Sequence, residues 1–128
     1  MDINLLIDTA KKAREHSYSP YSNYRVGCAL LTKSGKIFSG CNIENDGIMS
    51  ICAERVAFSK AISEGEKDFQ CLLVLGGKET FEYTSPCGYC RQFMSEFCNK
   101  DFEIYIYYGD NKIEKRILNE LLPYSFNL

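Results

Sequence analysis

Histidine is almost missing from this chain: His16 is the only one. It falls near the end of a predicted first helix, where it suits a helix C-terminal residue better than a catalyst. Proline is also sparse, with three residues, and 45% hydrophobic against 25% charged residues excludes the composition of a disordered chain. Positive charge is not in surplus. Fifteen Lys and Arg against 17 Asp and Glu leave a formal charge of −2 and a pI near 5.4, which argues against nucleic acid as a partner, since phosphate backbones call for a concentrated basic surface. No apolar run approaches the roughly 18 to 20 residues of a bilayer span. The opening "MDINLLIDTAKKAREH" carries acids where a signal peptide has an unbroken apolar stretch. We therefore expect a cytoplasmic protein with no membrane partner, and the length of 128 residues predicts a single domain over residues 1–128.

Cysteine, in contrast, is plentiful. Seven residues, Cys28, Cys41, Cys52, Cys71, Cys87, Cys90 and Cys98, form an odd set without a secretion signal, which favours reduced thiols or metal ligands over a disulfide framework.

Leu5, Leu6, Ala10 and Ala13 recur at helical spacing, so residues 4–16 read as an amphipathic helix. "SYSPYSNY" ends it as a loop around Pro20. "VGCALLT" and "KIFSGCNI" flank the turn signal "KSGK" and predict an antiparallel hairpin. Ser50 is the expected N-cap of a second helix with Val56, Ala57, Ala61 and Ile62 on its apolar face, ending near Gly65. "CLLVLGG" is a continuous apolar run of strand length, as expected for a central strand covered on both faces. A third helix is expected from N-cap Ser85 with Pro86 at its first position and Phe93, Met94 and Phe97 as its buried stripe. "FEIYIYYGDNKIEKRIL" reads as two strands around a "GDN" turn, and the "YIYY" stretch as a strand with alternating faces rather than a base-stacking surface. "LNELLPYSF" supplies a last helical turn stopped by Pro123. This alternation predicts an α/β layer fold with a mixed sheet.

Cys87 and Cys90 stand three apart on the first turns of a predicted helix, so their sulfurs share a face and can share a metal. Cys52 comes from the start of another helix. Helix N-termini favour thiolates, the form that binds zinc. Three thiolates without an evident fourth ligand describe an open zinc site, whose metal lowers the pKa of a bound water towards about 7. Glu54 diverges from Cys52 on an ideal helix and belongs beside the metal, where it can handle protons. A C-x-x-C alone is equally consistent with a structural metal, a redox pair or coincidence. The redox reading expects the motif after the first strand of a thioredoxin-like pattern, whereas this one lies late and has an upstream Cys-x-Glu partner. A closed structural site needs a fourth ligand: Cys28, Cys41 and Cys71 lie in predicted strands, and Cys98 is a helix length away. Those four cysteines are expected to be small buried side chains.

"CAER" followed by "PCGYCRQ" resembles the zinc-dependent nucleobase deaminase signature, in which a glutamate that is not a ligand follows the first zinc ligand. The cysteine at that first position, with "SPYSNYRVGCALL", "GCNIEN" and the terminal "ELLPYSF", is similar to the homotetrameric cytidine deaminase type of the cytidine/deoxycytidylate deaminase family. The resemblance covers nearly the whole chain. It implies a three-layer α/β/α fold with a mixed five-stranded sheet, a Zn2+ cofactor held by Cys52, Cys87 and Cys90, and hydrolytic deamination of cytidine and 2'-deoxycytidine in pyrimidine salvage. Glu54 then matches the glutamate that moves protons from water to the pyrimidine ring nitrogen and on to the leaving amine. Arg55 matches the arginine that hydrogen-bonds the ligand thiolates. Asn42 and Glu44 match the pair on the ribose 3'-hydroxyl, Tyr24 the family's phenylalanine on the pyrimidine, and Ala53 a further substrate contact. Phe126 matches an aromatic residue that reaches a neighbouring subunit's site, so the resemblance implies a homo-oligomer. The segment "DGIMSI" is one residue shorter than the family's and lacks its aromatic residue. This shortening is similar to the blasticidin S deaminases, and sets a related cytosine nucleoside or nucleoside antibiotic as the alternative substrate. Blasticidin S deaminases, however, lack the glutamate present here as Glu44. Polynucleotide editing fits less well, because those enzymes commonly carry histidine in place of Cys52 and need a basic strand channel. A non-catalytic zinc module leaves Glu54 without a purpose.

Overall fold

The chain runs back and forth across one sheet, and helices cover both of its faces. The computed structural model describes all 128 residues. Helix α1 (Ile3–Arg14) starts at Asp2, whose carboxylate accepts from Leu5 N at 3.2 Å, and ends on a basic last turn that suits the helix dipole. It stops two residues before the expected end. His16 lies exposed just beyond it.

Strands β1 (Arg25–Thr32) and β2 (Ile37–Cys41) form the expected antiparallel hairpin. Gly35 at φ +94° takes the left-handed turn position between them. Strand β3 (Phe69–Gly77) runs antiparallel to β1 and parallel to β4 (Glu103–Tyr107), and β5 (Ile113–Ile117) closes the edge. The order β2-β1-β3-β4-β5 places "CLLVLGG" at the centre of a mixed five-stranded sheet, which explains its unbroken apolar character. Between β4 and β5 the turn uses left-handed Gly109, Asp110 and Asn111.

Alternation along the strands builds two cores. Cys28, Leu30, Leu72, Val74, Ile104 and Ile106 face α2 (Ala53–Ser63) and α3 (Gly88–Phe97), with Phe58 fully buried against the edges of Phe69 and Phe93. Ala29, Leu31, Leu73, Leu75 and Tyr107 face α1. The fold is thus a three-layer α/β/α sandwich, as expected, and Tyr105 and Tyr107 of "YIYY" alternate with buried Ile104 and Ile106. A last turn, α4 (Leu118–Leu121), ends before Pro123.

Two helix starts differ from the sequence expectation. Cys52, not Ser50, is the N-cap of α2, and Cys87, not Ser85, is the N-cap of α3. Ser50 instead receives Asn45 N at 3.4 Å inside the preceding loop. Pro86 lies buried in the extended approach to α3 rather than in its first turn. At α3 a cysteine sulfur accepts from a helix N-H, with Cys87 Sγ taking Cys90 N at 3.5 Å, whereas Cys52 caps α2 through its extended backbone alone, with no side-chain bond. Cys90 and Met94 form the buried stripe of α3, Phe93 is half-buried, and Phe97, the last residue of the helix, is exposed. Cys28 and Cys71 are buried as expected, whereas Cys41 and Cys98 are only half-buried, because they fall at the ends of β2 and α3.

Glycine decides how closely α2 approaches the sheet. A Cβ on Gly40 would overlap Ala53 O and lie 2.8 Å from Ala57 N. Gly40→Ala is therefore expected to lose roughly 1–3 kcal/mol of stability through overpacking, read by chemical denaturation. Because Ala53 lies between Cys52 and Glu54, the same variant should also reduce metal occupancy. An unchanged denaturation midpoint would contradict this close-packing account.

Candidate functional site

The β3–α3–β4 crossover sets the start of α3 beyond the carboxyl end of β3, and α2 packs on the same face of the sheet. Ligand sites collect at that end of parallel strands. Cys52 and Cys87 both occupy N-cap positions in extended backbone, at φ −75°, ψ 154° and φ −66°, ψ 165°. Two helix N-termini therefore meet at one cluster of sulfurs, and both favour negative charge.

The cluster is tight. Cys52 Sγ lies 3.5 Å from Cys87 Sγ, Cys87 Sγ lies 3.5 Å from Cys90 Sγ, and all three sulfurs fall within 4.8 Å of one another. Thiolates about 2.3 Å from a tetrahedral zinc sit roughly 3.8 Å apart, so the spacing fits that metal. Cys90 is buried, Cys52 half-buried and Cys87 exposed, leaving one side of the cluster open to an incoming molecule.

The local charges are coupled. The hydrogen bond from Cys90 holds the Cys52 thiol down to about 5, helped by Arg55 and Cys87 and opposed by burial. Cys90 moves upward for the matching reason, because it keeps the proton of that bond, and because it is buried. Arg55 Nη2 donates to Cys52 Sγ at 3.6 Å and to Ser50 O at 3.2 Å. Burial works against its charge, but the Cys52 and Cys90 sulfurs outweigh that and raise its pKa. Glu54, on the first turn of α2, is 3% exposed. Its carboxyl is pushed up to about 7, first by burial and then by the negative Cys52, against the pull of its own backbone N-H. A carboxyl poised near neutrality beside a thiolate cluster can both take and give a proton.

Asn42 and Glu44, just beyond β2, hold the loop that follows α1. Asn42 Oδ1 accepts from Val26 N at 2.9 Å and Ser17 Oγ at 2.5 Å, and its Nδ2 donates to Tyr24 O at 2.8 Å. Glu44 accepts from Tyr21 N at 2.8 Å, Ser22 N at 3.2 Å and Ser22 Oγ at 2.6 Å, and the Ser22 bond leads the lowering of its pKa. Together they fasten the "SPYSNY" loop to the end of β2. Tyr24 is half-buried and its hydroxyl pairs with Thr84 Oγ1 at 2.5 Å, which joins the start of β1 to the loop that leads into Cys87. Ala53 is buried, and its carbonyl accepts from Cys28 Sγ at 3.1 Å. The shortened segment 46–51 is closed at its base by reciprocal 2.9 Å bonds between Ile43 and Ile51, and leaves Ile48 and Met49 exposed at its tip.

Phe126 is 68% exposed within one chain. Its backbone is gripped by Gln92, which donates from Nε2 to Phe126 O at 2.8 Å and accepts from Phe126 N at 3.2 Å. Arg91 makes the companion link, with Nε on Pro86 O at 2.7 Å, Nη2 on Ser85 Oγ at 3.1 Å and Nη1 on Leu121 O at 2.8 Å. Neither Arg91 nor Gln92 was legible as a site residue. Their partners are distant in sequence, and only the adjacency "CRQ" to the cysteine pair could have drawn attention to them. Gln92→Ala should free the tail at a cost of about 1 kcal/mol, seen as faster amide hydrogen exchange at Phe126 with metal content unchanged. An unaltered exchange rate there would remove the clamp from the account.

An open cavity of about 760 Å3 is lined by Arg14, Phe81, Tyr83, Tyr107 and Lys112 among others and includes none of the cysteines. The thiol cluster, with its buried glutamate, is the chemically distinctive place in the chain.

Comparison with known proteins agrees with that geometry. A family model described as the cytidine and deoxycytidylate deaminase zinc-binding region matches residues 2–106. The chain is 46% identical over 128 residues to a cytidine deaminase of Sporosarcina psychrophila, covering 99% of this chain and 93% of that one. It is 32% identical over 112 residues to a blasticidin-S deaminase of Bacillus cereus, covering 82% and 79%. Among solved structures, the cytidine deaminase of Burkholderia pseudomallei superposes with a TM-score of 0.90 at 38% identity, covering 98% of this chain and 100% of that one. The sulfur cluster and the matched zinc-binding region agree on zinc as the metal. Its fold, its thiol cluster and these likenesses place the chain in the cytidine and deoxycytidylate deaminase family.

Proposed function

We propose that this protein hydrolytically deaminates cytidine and 2'-deoxycytidine, giving uridine and 2'-deoxyuridine, as a single-domain cytoplasmic enzyme of pyrimidine salvage. The observation that carries the reading is the meeting of three cysteine sulfurs from two helix N-termini beside a buried glutamate. The relatives named as cytidine deaminases support the substrate. No helix is long and apolar enough to cross a membrane.

Cys52, Cys87 and Cys90 hold the zinc. When bound, zinc supplies the positive centre that makes water acidic near neutral pH. Glu54 removes a proton from the attacking water and passes it to the pyrimidine ring nitrogen. A carbon–oxygen bond forms at the amine-bearing carbon, Glu54 carries the second proton to the amine, and the carbon–nitrogen bond breaks to release ammonia. Burial supports this role, because a carboxyl shifted to about 7 is neither too weak a base to accept the proton nor too weak an acid to return it. Arg55 tempers the charge of the three sulfurs. Asn42 and Glu44 bind the ribose from the rim, Tyr24 packs on the pyrimidine, and Ala53 borders it at the start of α2.

The tail supports a homotetramer with shared sites. Tyr124, Phe126 and Leu128 are all exposed on one chain, and the Gln92 clamp fixes the direction in which Phe126 leaves it. Mixing subunits that carry Phe126→Ala with subunits that carry Glu54→Gln is expected to restore part of the activity that each lacks. No recovery in verified mixed oligomers would restrict each site to one chain.

The short 46–51 segment favours a second reading, a related cytosine nucleoside or antibiotic as substrate. Cytidine, deoxycytidine, cytosine and blasticidin S compared by kcat/KM on zinc-loaded protein separate the two. We expect cytidine and deoxycytidine to lead, because Glu44 is present and engaged at the rim. Absent turnover of both, with zinc intact, would reject the proposal.

A further inference from the structure

Arg55 is held in an unusual way for a residue that faces a thiolate. Both of its hydrogen bonds, to Ser50 O and Cys52 Sγ, come from one nitrogen, Nη2. Its Nε is buried without any partner. The two bonds anchor the guanidinium at one end and leave its Nε edge without a hydrogen-bond constraint. The missing constraint comes from Tyr89, whose ring centroid lies 4.0 Å from Arg55 Cζ. A cation against an aromatic face is attracted by the ring quadrupole, and the ring shields that side of the cation from water.

The position of this tyrosine matters. Tyr89 is one of the two residues between Cys87 and Cys90, so the ring is carried on the same helical turn as two of the three sulfurs. The residue is 54% exposed and contributes nothing to either core. Core packing within the chain therefore does not account for a large aromatic residue here.

We propose that Tyr89 is a positioning residue that acts through Arg55. Its ring holds the guanidinium in the orientation that keeps an N-H on Cys52 Sγ, and thereby limits the electron density that the thiolates present to the metal. The inference rests on the zinc site proposed above. It adds a part of the C-x-x-C motif whose role is electrostatic rather than ligating.

The test uses the whole protein loaded with cobalt(II) in place of zinc, because cobalt thiolate bonds absorb light and report the donor strength of sulfur directly. An N-H hydrogen bond lowers the energy of the sulfur lone pairs and moves the thiolate-to-cobalt band to shorter wavelength. Tyr89→Leu is expected to shift that band to longer wavelength, in the same direction as Arg55→Gln. Tyr89→Phe keeps the aromatic face and should leave the band in place. In an Arg55→Gln background, Tyr89→Leu should add nothing. For cytidine turnover by the zinc form, Tyr89→Leu should reduce kcat by about two- to fivefold, with KM unchanged.

A band unmoved by Tyr89→Leu overturns the proposal, as does an equal shift in the Arg55→Gln background or an equal shift in Tyr89→Phe. Absence of any thiolate-to-cobalt band in the unmutated protein would reject the metal site itself, an outcome distinct from a band that ignores Tyr89.

Discussion

Glu54→Gln is expected to keep about one zinc per chain and to lose activity by roughly 10²- to 10⁴-fold, the usual contribution of a positioned proton carrier. Glutamine has the size and shape of glutamate but cannot accept the proton of water at neutral pH. The site of substitution is 3% exposed and the amide keeps the volume of the carboxyl, so the sulfur geometry should survive. Stability should not fall. Burial already disfavours the charged carboxylate, as its pKa near 7 shows, and a neutral amide avoids that desolvation. Steady-state kinetics, metal analysis and thermal unfolding on one preparation check all three statements. Activity within a few-fold of the unmutated protein, with zinc present, would remove Glu54 from the proton path.

The second large effect is at Cys90. Cys90→Ala should empty the metal site and abolish turnover, while the fold is retained. Cys90 is fully buried beside Met94, and exchanging a thiol for a methyl group leaves only a small void, worth about 1 kcal/mol. Loss of the ligand matters far more. A metal that binds only the folded state adds about 4 kcal/mol of stability when present at a thousand times its Kd. The variant should therefore unfold at lower temperature than the unmutated protein in zinc buffer. In chelator the two should nearly coincide. Cys98→Ala serves as control, since Cys98 lies at the other end of α3 and its thiol is pushed up to about 12 by burial. That variant should keep both zinc and activity. Full zinc occupancy in Cys90→Ala, or a zinc-free Cys98→Ala, would break the assignment of the three ligands.

Most of the fold was legible because its signals are local. The 3.6-residue spacing of Leu6, Ala10 and Ala13 predicts α1, and the unbroken "CLLVLGG" predicts a strand with neighbours on both sides, which β1 and β4 provide. The errors also have local causes. Ser50 and Ser85 are better generic N-caps than cysteine, yet Cys52 and Cys87 take those positions. In each case the chain stays extended for two further residues, and at α3 a sulfur rather than a hydroxyl accepts from the helix start. Phe97 has the spacing of the buried stripe, but it is the last residue of α3, where the helix end leaves it exposed.

The candidate site divides along the same line. Cys87 and Cys90 could be paired from spacing, since positions within one helical turn can share a metal, whereas Cys52 and Glu54 joined them through their place at a second helix start and the resemblance to the deaminase signature. Arg91 and Gln92 could not be recognised in either way. Their partners, Pro86, Leu121 and Phe126, come together only when α3 packs beside the C-terminal segment. The use of Asn42 and Glu44 as fasteners of the 17–24 loop was equally hidden, because it depends on the end of β2 passing beside the end of α1.

By itself, then, the sequence determined the chemistry available to this protein: three thiols at metal-ligand spacing, a glutamate beside them, and the periodicities that form one mixed sheet with helices on both faces. Tertiary structure alone decided how that chemistry is set. It joined two helix N-termini at one point, buried Glu54 until its carboxyl titrates near neutrality, and laid Tyr89 over Arg55. The physical reason is range. Spacing and propensity act within a turn or two of the chain, whereas desolvation and the meeting of charges depend on which surfaces the completed fold brings into contact.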